Sequence, residues 1–135
     1  MNIVRNILAV ILGAIIGGLI NGATIAIGTM LIPPPAGFDQ STTENFAKTV
    51  HLLQPINYLV VFLAHALGAF VGSLVAMFIA VSHRLVIAMI IGALFLLGGT
   101  MVAFMAPIPV WYTIVDLLLA YVPMAFIGYK LSRKQ

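Results

Sequence analysis

Val110-Trp111-Tyr112-Thr113-Ile114-Val115-Asp116-Leu117-Leu118-Leu119-Ala120 sets one carboxylate inside an apolar run that continues to about Leu131 and is long enough to cross a bilayer. An ionised side chain in hydrocarbon costs at least roughly 2.5 to 3.5 kcal/mol on insertion scales, so the rest of the chain must offer Asp116 a partner or a water-filled cavity.

Three more apolar runs of similar length lie upstream. The spans are expected at about 6–32, 57–81, 85–106 and 109–131, with one sizeable polar loop at 33–56. Of 135 residues, 63% are hydrophobic and only 7% charged, whereas soluble domains are about a quarter charged. That balance excludes a water-soluble fold and leaves no length for a separate catalytic domain. The joints Ser82-His83-Arg84 and Pro107-Ile108 are short, which forces antiparallel neighbours. The expected fold is an all-α, integral membrane, four-helix up-down-up-down bundle forming a single domain, 1–135. The apolar run after Arg5 is too long for the core of a secretory signal, so it is read as the first span.

Charge sets the orientation. Arg5, Arg84, Lys130, Arg133 and Lys134 fall at one end, and Lys48 alone at the other with Asp39 and Glu44. By the positive-inside rule both termini are expected on the cytoplasmic side of the membrane. The basic balance is then a topology signal, with the lipid bilayer as partner and no nucleic acid. Tyr58, Trp111 and Tyr112 are expected near the outer interface and Tyr129 near the inner one.

The loop opens on Pro33-Pro34-Pro35, which favours extended backbone. Ser41 and Glu44 have capping-box spacing, and Phe46, Val50 and Leu53 recur at helical intervals. A short amphipathic interfacial helix follows, stopped by Pro55 and read as a lid over the bundle mouth.

Small residues mark the helix contacts, because lipid tails are as apolar as leucine and close backbone approach drives association. Gly13 and Gly17, Gly18 and Gly22, and Gly68 and Gly72 are each four apart, with Gly28 further along and Ala64 and Ala76 extending the second stripe. Leu12-Gly13-Ala14 with Gly17 and Leu19 is echoed by Leu67-Gly68-Ala69 with Gly72 and Leu74, in the manner of an inverted repeat. The same stripes equally suit a homo-oligomer or a larger membrane partner.

Counting inward from the outer helix ends puts Thr100 and Asp116 at about 10 Å, His65 and Thr24 at about 12 Å and Asn21 at about 16 Å. One polar slab in the outer half is expected, with His65 as the partner of Asp116, Asn21, Thr24 and Thr100 as orienting groups, and Tyr58 and Tyr112 above. Tyr121 is read as ordinary buried packing with a local hydrogen bond, and Pro123 as a kink just below the slab. His65 and Asp116 either lock helix register or line a pocket open to the outside that takes a small solute or a proton.

Other chemistries lack their residues. No cysteine is present, which removes disulfides, thiolate metal sites and cysteine nucleophiles. No lysine lies in the interior of a span to form a Schiff base, Lys130 standing at the very end of the fourth, and Ser73 is two turns from His65. No catalytic set, metal or cofactor is therefore expected, and an enzymatic role is disfavoured. A structural or accessory subunit, and a lipid-binding protein or intramembrane enzyme, remain as alternative readings.

The glycine-rich first span, Pro33-Pro34-Pro35-Ala36-Gly37-Phe38-Asp39, His65-Ala66-Leu67-Gly68-Ala69 and Pro107-Ile108-Pro109-Val110-Trp111 ahead of Asp116 resemble uncharacterised small four-span bacterial inner-membrane proteins. The likeness covers the whole chain and implies the topology but no activity. The first-helix glutamate of small multidrug transporters and the polar and phenylalanine motif of small fluoride channels are both missing.

Overall fold

The computed structural model describes residues 1–133; Lys134, one of the cations used for orientation, lies outside them. The helices are α1 (Asn2–Leu31), α2 (Thr43–Thr49), a single 3-10 turn (Val50–Leu52), α3 (Pro55–Ile79), α4 (Arg84–Met105), α5 (Val110–Leu119) and α6 (Val122–Arg133). Four stretches, Asn2–Leu31, Pro55–Ile79, Arg84–Met105 and Val110–Arg133, are long and apolar enough to cross a membrane, and they run alternately up and down. The chain is thus a four-span, multi-pass helical bundle. Large apolar side chains such as Leu19, Leu31, Leu97 and Phe104 point outward, as lipid-facing positions require.

Helix α3 is the central element: it packs on α1, α4, α5 and α6 and carries most of the buried positions. Its glycines explain why. A Cβ at Gly17 would stand 2.6 Å from the Gly68 carbonyl oxygen, and one at Gly13 would stand 2.6 Å from that of Gly72. Backbone meets backbone there, so only glycine fits. The echoed segments therefore pack on each other antiparallel, with Gly13 against Gly72 and Gly17 against Gly68, the pairing that a local two-fold axis produces. Gly28 serves the same purpose further along, where a Cβ would collide with the Val60 side chain. Gly92 and Gly128 bring α6 against α4 and α3: a Cβ at Gly92 would lie 3.1 Å from Val122 Cα, and one at Gly128 would lie 2.8 Å from the Phe70 carbonyl oxygen.

Gly18 and Gly22 differ from the expectation of packing, since a Cβ at either position meets nothing within 4 Å. Each stands five residues on from a contact glycine, Gly18 from Gly13 and Gly22 from Gly17, which is about 140° round the helix, so they look out of the α1–α3 contact.

At the terminal end the cations also cap helices. Arg5 Nη2 donates to the Ile79 carbonyl at 3.1 Å, and Arg84 Nη2 donates to the Met77 carbonyl at 2.9 Å. Both satisfy last-turn carbonyls of α3, where a cation also opposes the negative end of the helix dipole. Asn6 ties the same turn from α1, donating from Nδ2 to Ser82 Oγ at 2.8 Å and accepting from the Val81 N–H at 3.1 Å.

The opposite end is closed by the 33–54 segment. The cap of α2 is Thr42, whose hydroxyl accepts from the Asn45 N–H at 3.0 Å. Ser41 and Glu44 do not form the expected capping box; Glu44 instead pairs with Lys48 one turn on. Asp39 performs the ordering, accepting from the Ser41 N–H and from Asn45 Nδ2, each at 2.8 Å. Those hydrogen bonds, chiefly from Ser41, hold the Asp39 carboxyl below its ordinary value of 3.8. Pro55 opens α3 rather than merely stopping the loop helix, because its fixed φ and missing N–H suit a first helical position. Gln54 and Asn57 supply the reciprocal cap at that start.

The fourth span also departs from a continuous helix. It breaks at Ala120-Tyr121, with α5 ending at Leu119 and α6 starting at Val122. Pro123 has no N–H to give the Leu119 carbonyl and disfavours helical backbone at Val122, so regular bonding resumes only with the Ala125 N–H to the Tyr121 carbonyl.

Candidate functional site

Asp116 lies on the last full turn of α5 and is 4% exposed. Burial on that scale is tolerable only if its oxygens are served, and three donors serve them. His65 Nδ1, from the middle of α3, is 2.8 Å from Oδ1 and 3.1 Å from Oδ2. Tyr112, one turn earlier on α5, donates its hydroxyl to Oδ1 at 3.2 Å. Tyr121 donates to Oδ2 at 2.6 Å.

The helix break places Tyr121. Leaving the helical path at Ala120 turns the phenol back toward Asp116, where its oxygen also lies 2.8 Å from His65 Nδ1. Because that hydroxyl proton goes to the carboxylate, the phenol oxygen acts as an acceptor, and the Nδ1 proton of His65 lies between two acceptors. His65 therefore presents Nε2 outward: a lone pair when the ring is neutral and an N–H when it is protonated. Gly99 of α4 leaves the space for this arrangement, since a Cβ there would collide with the Tyr121 hydroxyl. Tyr121 is buried and hydrogen-bonded, as expected, but its bonds reach Asp116 and His65, a role that the sequence reading did not give it. The available signal was Pro123, two residues on, which indicated a break but not the direction in which it would throw the ring.

Two cavities meet at His65. The first, about 320 Å³, lies beneath the 33–54 segment; Pro34, Phe38, Phe46 and Leu53 form its roof, and Asn57, Tyr58, Tyr112, His65 and Asp116 its polar side. The second, about 400 Å³ and more open, runs between α1 and α4 past Gly18, Phe95 and Gly98 to Tyr121. Asn21, His65, Gly99 and Val102 line both. Among the described residues His65 Nε2 has no hydrogen-bond partner, and with Nδ1 held by Asp116 and Tyr121 it is the ring nitrogen left to the shared space that His65 lines.

Of the residues singled out in the sequence, the structure brings His65, Asp116 and Tyr112 into direct contact. Tyr58 caps the group with its ring 4.7 Å from that of Tyr112 and 5.9 Å from that of Trp111. Asn21 faces the cavities, and its Oδ1 is buried without a partner. Thr24 and Thr100 lie apart from the cluster. Each spends its hydroxyl on its own helix, Thr24 on the Ile20 carbonyl at 2.7 Å and Thr100 on the Leu96 carbonyl at 2.8 Å. Neither borders the two cavities. Ser73, on the far side of Tyr121, is fully buried and donates to the Ala125 carbonyl at 2.7 Å, tying α3 to α6.

The arrangement can orient one imidazole and hold or release a proton at its outer nitrogen. With His65, Tyr112 and Tyr121 all donating to its oxygens, the Asp116 carboxylate fixes the orientation of the ring. Comparison with protein-family models, with curated proteins and with solved structures finds no match for this chain.

Proposed function

We propose that this is a bacterial inner-membrane protein, termini in the cytoplasm, whose outward-facing pocket binds a small solute bearing a hydroxyl or carbonyl group, with binding linked to the proton on His65. The observation that carries this reading is the way Asp116 is engaged. Three donors from the chain itself occupy the carboxylate, and His65 Nε2 is left facing a cavity of about 320 Å³ whose other walls are largely apolar. Pockets of this size with few, convergent polar groups suit small organic molecules. The roles expected from the sequence change accordingly: His65 meets the solute, Asp116 orients His65, and Tyr112 and Tyr121 hold Asp116.

Translocation of that solute or of a proton fits the discontinuous fourth span, since broken helices recur at the sites of transporters. The terminal half is closed in this conformation by the backbone contact of α1 with α3 and by the core around Met77, Ala88 and Ile91.

The test uses the protein in lipid nanodiscs with cyclohexanol as a hydroxylated probe and cyclohexane as its apolar match. Nitrogen NMR of histidine-labelled protein should show a saturable change at His65 Nε2 with cyclohexanol alone, and His65→Gln should abolish probe binding while the protein stays folded. Equal responses to both probes, or none at Nε2, would leave the four-residue cluster as a structural lock between α3 and the fourth span.

A further inference from the structure

The second cavity lies on the side of His65 away from the lid. Its walls are the faces of α1 and α4 that carry Gly18 and Gly98, where an added Cβ meets nothing within 4 Å. The side chains flanking it, Ile15 and Leu19 on α1 and Leu94 and Leu97 on α4, are exposed apolar groups of spanning helices. The cleft therefore opens into hydrocarbon and not into water. Its inner end is polar, where Asn21 holds a buried carboxamide oxygen without a partner beside His65. Among the described residues neither Asn21 Nδ2 nor His65 Nε2 has a hydrogen-bond partner there, so the waist between the two cavities favours an occupant that carries a hydrogen-bonding group.

We propose that the ligand of this site is a membrane-dissolved amphipath with a single hydrocarbon chain and an uncharged hydroxyl head, which enters sideways between α1 and α4. This deepens the solute reading above and rests on it. The hydroxyl donates to the Nε2 lone pair of neutral His65 and accepts from Asn21 Nδ2, while the chain lies along Gly18 and Gly98. A charged head does not suit the site, because neither a carboxylate nor a lysine or arginine is among the described residues that line this cleft. A second copy of the chain packing on the same glycines would use the cleft differently: it would need no hydroxyl and would ignore Asn21.

The experiment is photo-cross-linking in nanodiscs with hexadecanol carrying a mid-chain diazirine, the adducts mapped by mass spectrometry. Label should concentrate on the α1 and α4 walls around Ala14, Gly18 and Leu94, and excess oleyl alcohol should compete it while octadecane does not. Gly98→Leu should reduce that label about tenfold by filling the cleft, and Gly18→Leu does the same from the other wall should the first variant prove unstable. Label spread evenly over the lipid-facing surface, or unchanged by both variants, overturns the inference. So does a shift from dimer to monomer in those variants without loss of competition. Cyclohexanol response at His65 separates the two readings: if it persists in wild type while the cleft takes no label, only the lateral amphipath is lost, and if it is absent the pocket reading fails as well.

Discussion

Two adjacent glycines of α4 differ sharply in what surrounds them. Gly99 faces the Tyr121 hydroxyl, whereas Gly98 faces the empty cleft. Gly99→Ala should push the phenol off Asp116 and His65, leaving a buried carboxylate one donor short, which costs about 1 to 3 kcal/mol. Gly98→Ala should be neutral or stabilising by up to about 1 kcal/mol, because alanine is the better helix former and the methyl has room. Equilibrium unfolding in mild detergent, read on matched preparations, decides this, and equal losses for both would mean that Tyr121 does not hold Asp116. The same contrast exists on α1. A Cβ at Gly17 falls on the Gly68 backbone, which cannot yield, but one at Gly22 falls in open space. Gly17→Ala should therefore lower Tm by several degrees while Gly22→Ala leaves it within a degree or two.

Elements show where local signals compete. The break in the fourth span follows from Pro123, and it is what lets Tyr121 complete the cluster. Pro123→Ala restores an N–H that the Leu119 carbonyl can accept, which favours one continuous helix. The fold should survive that change, but Tyr121 should swing away and the Nε2 response to cyclohexanol should weaken; an unaltered response would show that packing alone sets the break. The lid depends on Asp39 in a different way. Its folded-state carboxyl titrates below 3.8, so the stability it contributes is fully present above that value and is lost as pH falls through the lower folded value. Pepsin, active in acid, should leave the 38–50 segment intact near pH 4 and cut it well below that, and Asp39→Asn should remove the difference. The spans themselves were legible in the sequence to within a few residues, since apolar length alone defines them. The lid's cap was not, because Ser41, Thr42 and Thr43 offer interchangeable hydroxyls and only the folded loop selects Thr42.

For the molecule as a whole, the two ends carry different kinds of closure. The terminal end is tied by Arg5, Asn6 and Arg84 onto the end of α3, and the other end by the 33–54 segment over the first cavity. If the proposed orientation holds, single cysteines introduced by Ser41→Cys and Val81→Cys into this cysteine-free chain should label oppositely. A membrane-impermeant maleimide added to whole cells after outer-membrane permeabilisation should modify the first and spare the second. The reverse pattern would place the pocket toward the cytoplasm, and would mean that Arg5 and Arg84 are where they are as helix caps and not as topology signals.

Hydrophobic length and short joints were enough to determine a four-span antiparallel bundle, because in a bilayer the backbone must satisfy itself within helices and little else spans. The pairing of His65 with Asp116 was also legible, since two ionisable groups at matching depth in hydrocarbon have few alternatives to each other. Tertiary structure alone decided the rest. It chose which glycines touch and which stand open, it turned Tyr121 into a ligand of Asp116, and it left Thr24 and Thr100 bonded to their own helices. Those outcomes depend on the rotation of each helix about its axis and on the direction of one break, and a stripe of small residues or a lone proline does not encode either. His65 borders both cavities and Asp116 only the first, and how many donors surround that carboxylate is likewise a property of the packed bundle.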